Sequence, residues 1–475
     1  MPTQDTALHF REARELARAI RAGELSSRQV TTHFLDRIAR AADLAAYSEV
    51  TAERALAQAD AADRLLAAGI SMGPLHGVPV AVKDSVQWAG TTASGGSQTR
   101  RGVVSDETAT AVRGLAAHGM VVLGKTRMTE FAFGLSGQNP TQGTARNPWD
   151  AATPRAPGGS SSGAGVAVAA GLAPLALGGD TGGSVRAPAA LNGVVGYKPS
   201  SGLISRAGCL PLSETLDVLG PIARSVADAR LLTQVLAGPD IDDVATLDVS
   251  AASIAALRRP APRRGGAIAV LAPQAWPAAL ADEGLRIWHE AQERLDQAGV
   301  TPSTWHPPAS LSFARMADDN SLVLAYEAYR HFGHLAEDPA QPLWEVVRAR
   351  IAAGGRIAPA DYAAALQRRQ ADMATFAAAM QGIDALLMPA CDQAAQALDA
   401  ADVRHAGLGR LLRPANFLGA AAIALPAGFD ADGMPMAVQL LAPAGADAAL
   451  LDCAAALERI LAPVMRTPDL SAWDL

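Results

Sequence analysis

The sequence predicts an α/β protein, a central mixed β-sheet covered by helices on both faces. Three observations carry this. From Gly73 onward, short apolar runs alternate with stretches of helical periodicity, the pattern of strands and helices sharing one sheet. Hydrophobic residues make up 49% of the 475 and charged residues 18%, as in a well-buried globular enzyme and unlike a disordered chain. Alanine and glycine are abundant while aromatics are only 4%, so the elements are expected to pack closely.

The elements follow in order. Residues 6–70 read as helical: Leu8, Ala13, Leu16, Ala17 and Ile20 recur at helical spacing, and Gly23 ends that helix. Ser26 and Gln29 form a capping-box pattern for a second helix bearing Val30, Phe34 and Ile38 on one face. A third covers roughly 50–69. The runs 78–83, 120–125, 172–179 and 193–199 read as strands, with helices at 106–118 and 222–236. A strand at 268–272 follows, then helices near 280–299, 311–336, 342–353 and 358–380. The runs 384–390, 422–429 and 436–443 read as further strands. The last two are expected to pair through a turn at Asp432–Gly433. An amphipathic helix around 446–460 closes the chain. The stretch 237–265 is the best candidate for a boundary, but it reads as a loop inside one domain spanning 1–475. That domain comprises a helical segment (1–70), a central part (73–230) and a remainder (265–475).

Charge and cysteine content narrow the function. The net charge is −7, with no basic stripe, so nucleic acid is not expected as a partner. Cys209, Cys391 and Cys453 are widely spaced and form no CxxC pair, which fits a reducing cytoplasm. The N-terminus lacks an apolar signal core, and the longest weakly polar run, 163–178, is too short and too glycine-rich to span a membrane. The nine histidines are scattered, with no HExxH; no metal and no cofactor are expected.

Two glycine–serine clusters stand out in strongly apolar surroundings. One is Pro157-Gly158-Gly159-Ser160-Ser161-Ser162-Gly163; the other runs Gly178-Gly179-Asp180-Thr181-Gly182-Gly183-Ser184-Val185-Arg186. Such clusters are commonly plain loops. A buried loop, however, must satisfy its backbone, and glycines before a serine let backbone N–H groups approach a substrate oxygen. A serine nucleophile needs a base, and no histidine is placed to serve. Lys83, at the end of the apolar run VPVAV, is the better candidate, because desolvation there lowers an ammonium pKa. These features alone do not rank the three serines of the first cluster.

GVPVAVKD, PGGSSSG and GGDTGGSVRAPA together resemble the amidase-signature family. KTRMTEFAFG, NPWD, VGYKPSSGLIS, NFLGAAAIALPAGF and GMPMAVQLLAP extend the likeness over most of the chain. The resemblance implies the amidase-signature fold and a Ser-Ser-Lys triad: Lys83 as base, Ser160 as bridging serine held through a cis peptide, and Ser184, 24 positions later, as nucleophile. It implies an oxyanion hole from the backbone of Thr181, Gly182, Gly183 and Ser184, braced by Asp180 and Arg186. Met128, Phe131, Phe133 and Gly134 are expected to border the substrate pocket, with further walls from 205–216 and 315–335 and aromatic surface from Trp305, Tyr326 and Tyr329. No arginine fork for a carboxylate is apparent, so a small, neutral, fairly apolar amide is the expected substrate and partner, with anilides, carbamates and esters as side substrates. A homodimer follows from family habit only. The alternative is the glutamine-hydrolysing subunit of a tRNA-dependent amidotransferase complex, set aside because residues 300–420 do not read like that component.

Overall fold

A computed structural model describes residues 7–259, 266–399 and 406–475. Residues 260–265, the end of the expected loop at 237–265, lie outside the described residues. The strands are β1 (Tyr47–Val50), β2 (Pro79–Lys83), β3 (Val121–Thr126), β4 (Leu175–Asp180), β5 (Val195–Lys198) and β6 (Val218–Ala223). They continue with β7 (Ile268–Leu271), β8 (Ser303–Trp305), β9 (Ala385–Pro389), β10 (Ala421–Phe429) and β11 (Pro435–Ala442). Among the described residues they form one mixed sheet in the order β1-β3-β2-β4-β6-β5-β10-β11-β9-β7-β8. Every residue of β2, β3 and β6 is buried, as expected where helices cover both faces. β10 and β11 pair antiparallel across the expected turn.

One hydrophobic cluster gathers the N-terminal helices Ala13–Arg21, Ser27–Arg40 and Ala52–Ala67 with the closing helix Asp447–Leu461. A second lies beneath Phe313–Glu337, Glu345–Gly354 and Pro359–Ala379. The capping box forms: Gln29 N–H donates to Ser26 Oγ at 3.0 Å, and Ser26 N–H donates to Gln29 Oε1 at 2.8 Å. Three strands escape the sequence reading. β1 interrupts the segment read as helical, β6 contains Gly220 and Pro221, and β8 is only Ser303–Trp305. The helices Ser162–Ala169, Arg186–Asn192, Ala251–Leu257 and Ala406–Phe417 are likewise additional.

Two acids accept backbone N–H groups at helix starts. Asp228 accepts from the backbone N–H of Ala13 (2.6 Å) and Arg14 (3.0 Å), and Glu458 accepts from Val226 N–H (2.8 Å). Burial pushes Asp228 up to about 6 and Glu458 up to about 7. A carboxyl raised in the folded state adds stability that is complete below its ordinary range and is lost as pH rises through the raised value. Glu458→Gln is therefore expected to raise Tm at pH 8 by about 2 °C and to change it little at pH 4. Thermal melts at both pH values check this; an equal shift at both would contradict it.

Candidate active site

The site forms where parallel strands end. β2 and β4 are parallel neighbours, with Ala81 opposite Ala176 and Val82 opposite Leu177. Lys83 at the end of β2 thus lies beside Gly179 and Asp180 at the end of β4, and open α/β sheets commonly bind ligands at such carboxyl ends. Lys83 is 1% exposed. Its Nζ lies 2.7 Å from Ser160 Oγ and 3.3 Å from the Gly179 carbonyl. Burial lowers its pKa to about 8, against the opposing pull of Asp217 and Asp180.

Geometry separates the three serines. Ser160 faces Lys83, and the Gly159–Ser160 peptide is cis. Ser161 Oγ donates to the Gly179 carbonyl and accepts from Gly179 N–H, both at 3.2 Å. Ser162 Oγ donates to the Arg127 carbonyl at 3.4 Å. The last two therefore hold the loop against β4 and the 127 region. Ser161 N–H also donates to the Ser184 carbonyl at 3.2 Å, which brings the two glycine–serine clusters together.

Asp180 organises the loop that carries Ser184. It accepts from the backbone N–H groups of Gly183 (2.7 Å), Val185 (3.1 Å) and Arg186 (3.4 Å). Arg186 reaches back to it through Nε and Nη2, each at 3.1 Å, and both side chains are fully buried. Burial alone would raise the Asp180 pKa, but Arg186, Lys198 and Asn416 hold it below the usual carboxylate range. Arg186 also donates to the Leu412 carbonyl (2.9 Å), Gln439 Oε1 (3.0 Å) and Asn416 Oδ1 (2.6 Å), so its guanidinium pins the helix Ala406–Phe417 to the loop. That helix packs so closely that a Cβ on Gly183 would come within 2.6 Å of Leu412, and Gly183 has φ +121°. Glycine is required there on both counts.

This arrangement corrects the expected oxyanion hole. The Gly183 N–H is directed at Asp180 and is not free to meet a substrate oxygen. Among the described residues, the N–H groups of Thr181, Gly182 and Ser184 donate to no acceptor. Thr181 donates its hydroxyl to Asp217, a carboxylate that also accepts from Leu212 N–H (2.8 Å) and Ser213 N–H (3.0 Å).

Two cavities meet at Ala132 and Thr181. The first, about 210 Å³, is bounded by Lys83 and by residues of the segment 206–219, so this part of the expected 205–216 wall is in place. Cys209 borders it, and burial pushes its thiol up to about 12, which keeps it protonated at neutral pH. The second, about 320 Å³, contains Ser184 and Gly182 and is walled by Phe133, Gly134, Ser321 and Leu324. Met128 and Phe131, expected at the pocket, line neither cavity. Met128 is buried, with its carbonyl held by Asn139, and Phe131 stacks on Phe332 at 4.1 Å between centroids. Trp305, Tyr326 and Tyr329 line neither cavity either: Trp305 is in the core, Tyr326 stacks on Tyr362, and Tyr329 bonds Glu337.

The sequence also gives no sign of an arginine cluster, yet the Ser184 cavity holds three, Arg350, Arg410 and Arg413. They come from two separate helices, and only folding brings them together. Among the described residues, no group of three or more His, Cys, Asp or Glu side chains is placed to hold a metal ion.

The Amidase family model matches residues 29–451. The chain belongs to the amidase family. It is an amide-hydrolysing enzyme of the amidase-signature type. It is 37% identical over 480 residues to a glutamyl-tRNA(Gln) amidotransferase subunit from Acidothermus cellulolyticus, covering 94% of each chain. A solved structure of an s-triazine catabolic enzyme, described from a vestigial protein complex, superposes with a TM-score of 0.86 at 30% identity, covering 97% of this amidase and 100% of the other chain. The peptide amidase of Stenotrophomonas maltophilia superposes with a TM-score of 0.81, also at 30% identity, covering 98% and 99%.

These relatives overturn one expectation. The sequence points to a small-molecule substrate and no nucleic acid, but the Acidothermus relative is by name one component of an enzyme acting with tRNA. A net charge of −7 carries no such exclusion, because one chain's total charge is silent on local patches and on what companion chains bind. Among the described residues no helix is long and apolar enough to cross a membrane.

Proposed function

We propose that this amidase cleaves a carboxamide C–N bond by acyl transfer to Ser184, with Ser160 and Lys83 as the proton relay. The observation that carries the reading is the buried lysine 2.7 Å from Ser160 Oγ, one loop away from a serine that opens into a cavity. Neutral Lys83 takes the Ser160 proton as Ser160 takes that of Ser184. Ser184 Oγ attacks the carbonyl, and the N–H groups of Gly182 and Ser184 stabilise the oxyanion. The relay returns the proton to the nitrogen, the C–N bond breaks, and ammonia or an amine leaves. Water, deprotonated by the same relay, then cleaves the acyl ester and restores the Ser184 hydroxyl.

The relatives' names favour one setting over free-standing hydrolysis of neutral amides: a glutamine-hydrolysing component that works with companion chains and tRNA. The three unpaired cysteines suit the cytoplasm, where we place it. Glutaminase activity that rises on adding companion chains and charged tRNA supports this setting. Full activity of the isolated chain, indifferent to both, counts against it.

The relay has a pH signature. Only neutral Lys83 accepts a proton, so kcat/KM should fall about tenfold per unit below a pKa near 8 and level off above it. Lys83→Met should cost about 10³-fold and abolish that limb. A profile flat from pH 6 to 9 in the unmodified enzyme would exclude Lys83 as the base. A fluorophosphonate probe is expected on Ser184; label on Ser161 or Ser162 would overturn the assignment.

A further inference from the structure

The cavity that holds Ser184 carries three cations, and none of its described lining residues is acidic. Two of the cations are engaged. Arg350 donates to the Phe133 carbonyl at 2.8 Å, and Arg410 is held by Asp318 and by the Pro277 carbonyl at 2.8 Å. Arg413 forms no hydrogen bond or ion pair with any described residue. Its position is nevertheless defined. The stem crosses Gly182, where an added Cβ would lie 3.3 Å from Arg413 Cγ, and the guanidinium passes Gly409, where one would lie 3.0 Å from Cζ. The side chain therefore extends from the Ser184 loop along the cavity wall.

A second unmatched group lies at the same place. Asn320 is fully buried with both amide atoms unpartnered, and its Oδ1 is 3.3 Å from the same Gly182 Cβ position. Burial, with Arg350 and Arg410 close by, lowers the Arg413 pKa to about 10 against the opposing pull of Asp318, so the guanidinium stays charged at neutral pH. A guanidinium offers five donors in a planar fork that matches a carboxylate, and the buried amide of Asn320 beside it is left without a partner, which is costly.

We propose that Arg413 receives a carboxylate on the acyl part of the substrate, so that the enzyme hydrolyses acidic amides such as the monoamide of a dicarboxylic acid. The proposal deepens the Ser184 reading and rests on it. Because the described lining offers no carboxylate to an ammonium group, an α-amino group is not required.

The test compares glutaramate, glutamine and pentanamide, which share a chain length and differ in charge, on the full chain and on Arg413→Met. The expected kcat/KM for glutaramate exceeds that for pentanamide by about 10³-fold or more, and glutamine does no better than glutaramate. Arg413→Met should shrink the preference for glutaramate about 100-fold, chiefly through KM, and Arg413→Lys should restore part of it. A preference untouched by Arg413→Met, or none in the unmodified enzyme, would overturn the proposal; so would glutamine outpacing glutaramate more than about tenfold. Calorimetric binding of glutarate to Ser184→Ala gives a readout independent of turnover. Binding that Arg413→Met abolishes supports the carboxylate site whatever the nucleophile is. No Arg413-dependent binding sinks it, while loss of Ser184 labelling with glutarate binding intact would sink only the nucleophile assignment.

Discussion

Ser184→Ala is expected to reduce amide turnover below detection, a loss on the order of 10⁶-fold by analogy with removal of other serine nucleophiles. The hydroxyl is the only part removed, and it makes no hydrogen bond to a described residue. The loop around it is held by Asp180 and by the Ser161 contact to the Ser184 carbonyl. The variant should therefore keep its Tm within about 1 °C, since substitutions outside the large-effect mechanisms stay within about 0.5 kcal/mol. Intact-mass spectrometry after substrate addition should show an acyl adduct on the unmodified enzyme and none on the variant. Retained turnover in a well-folded Ser184→Ala would remove the acyl-enzyme mechanism altogether.

The second large effect is structural. Arg186→Leu should destabilise the fold by about 3–5 kcal/mol, the cost of stranding one charge of a buried pair. The change removes two bonds to Asp180 and those to Leu412, Gln439 and Asn416. It leaves Asp180 in the core without its main counter-charge. Urea titration should show a lowered midpoint with little change in slope. Asp180→Asn/Arg186→Leu should recover part of the loss, because the stranded charge is gone; a double variant no better than the single would show that packing, not charge, dominates. Arg186→Lys keeps the charge but loses the fork, and is expected to fold while turning over more slowly.

How legible this molecule is depends on the range of the interaction. Val80, Val82, Val121 and Leu123 announce their strands because an apolar run needs no context. β6 is missed because Gly220 and Pro221 read as a break, although Gly220 sits opposite Gly178 in the ladder and a Cβ there would lie 2.1 Å from the Tyr197 carbonyl oxygen. The helix Ser162–Ala169 has no apolar stripe because it is buried on all sides. At the site, Lys83 and the two glycine–serine loops are visible as local motifs. Arg350, Asn320 and Arg413 are not, since each alone is an ordinary helical residue, and only folding brings Asn320 and Arg413 to Gly182 and Arg350 to Gly134. Phe131 misleads for the complementary reason: an aromatic beside a catalytic loop serves packing as readily as recognition.

The chain divides its labour. Lys83, Ser160, Ser184 and the carboxylate that fixes the Ser184 loop all come from residues 83–186, whereas the arginines lining the Ser184 cavity come from 350–413. The helix Ala406–Phe417 joins the two through the Leu412 carbonyl and the Asn416 side chain, neither of which lines the Ser184 cavity. Its cavity-lining residues can therefore be exchanged while the bonds that hold the Ser184 loop persist. Such a scaffold can change what it accepts without renegotiating how it reacts, and a substitution library confined to positions 409, 410 and 413 would draw on that freedom.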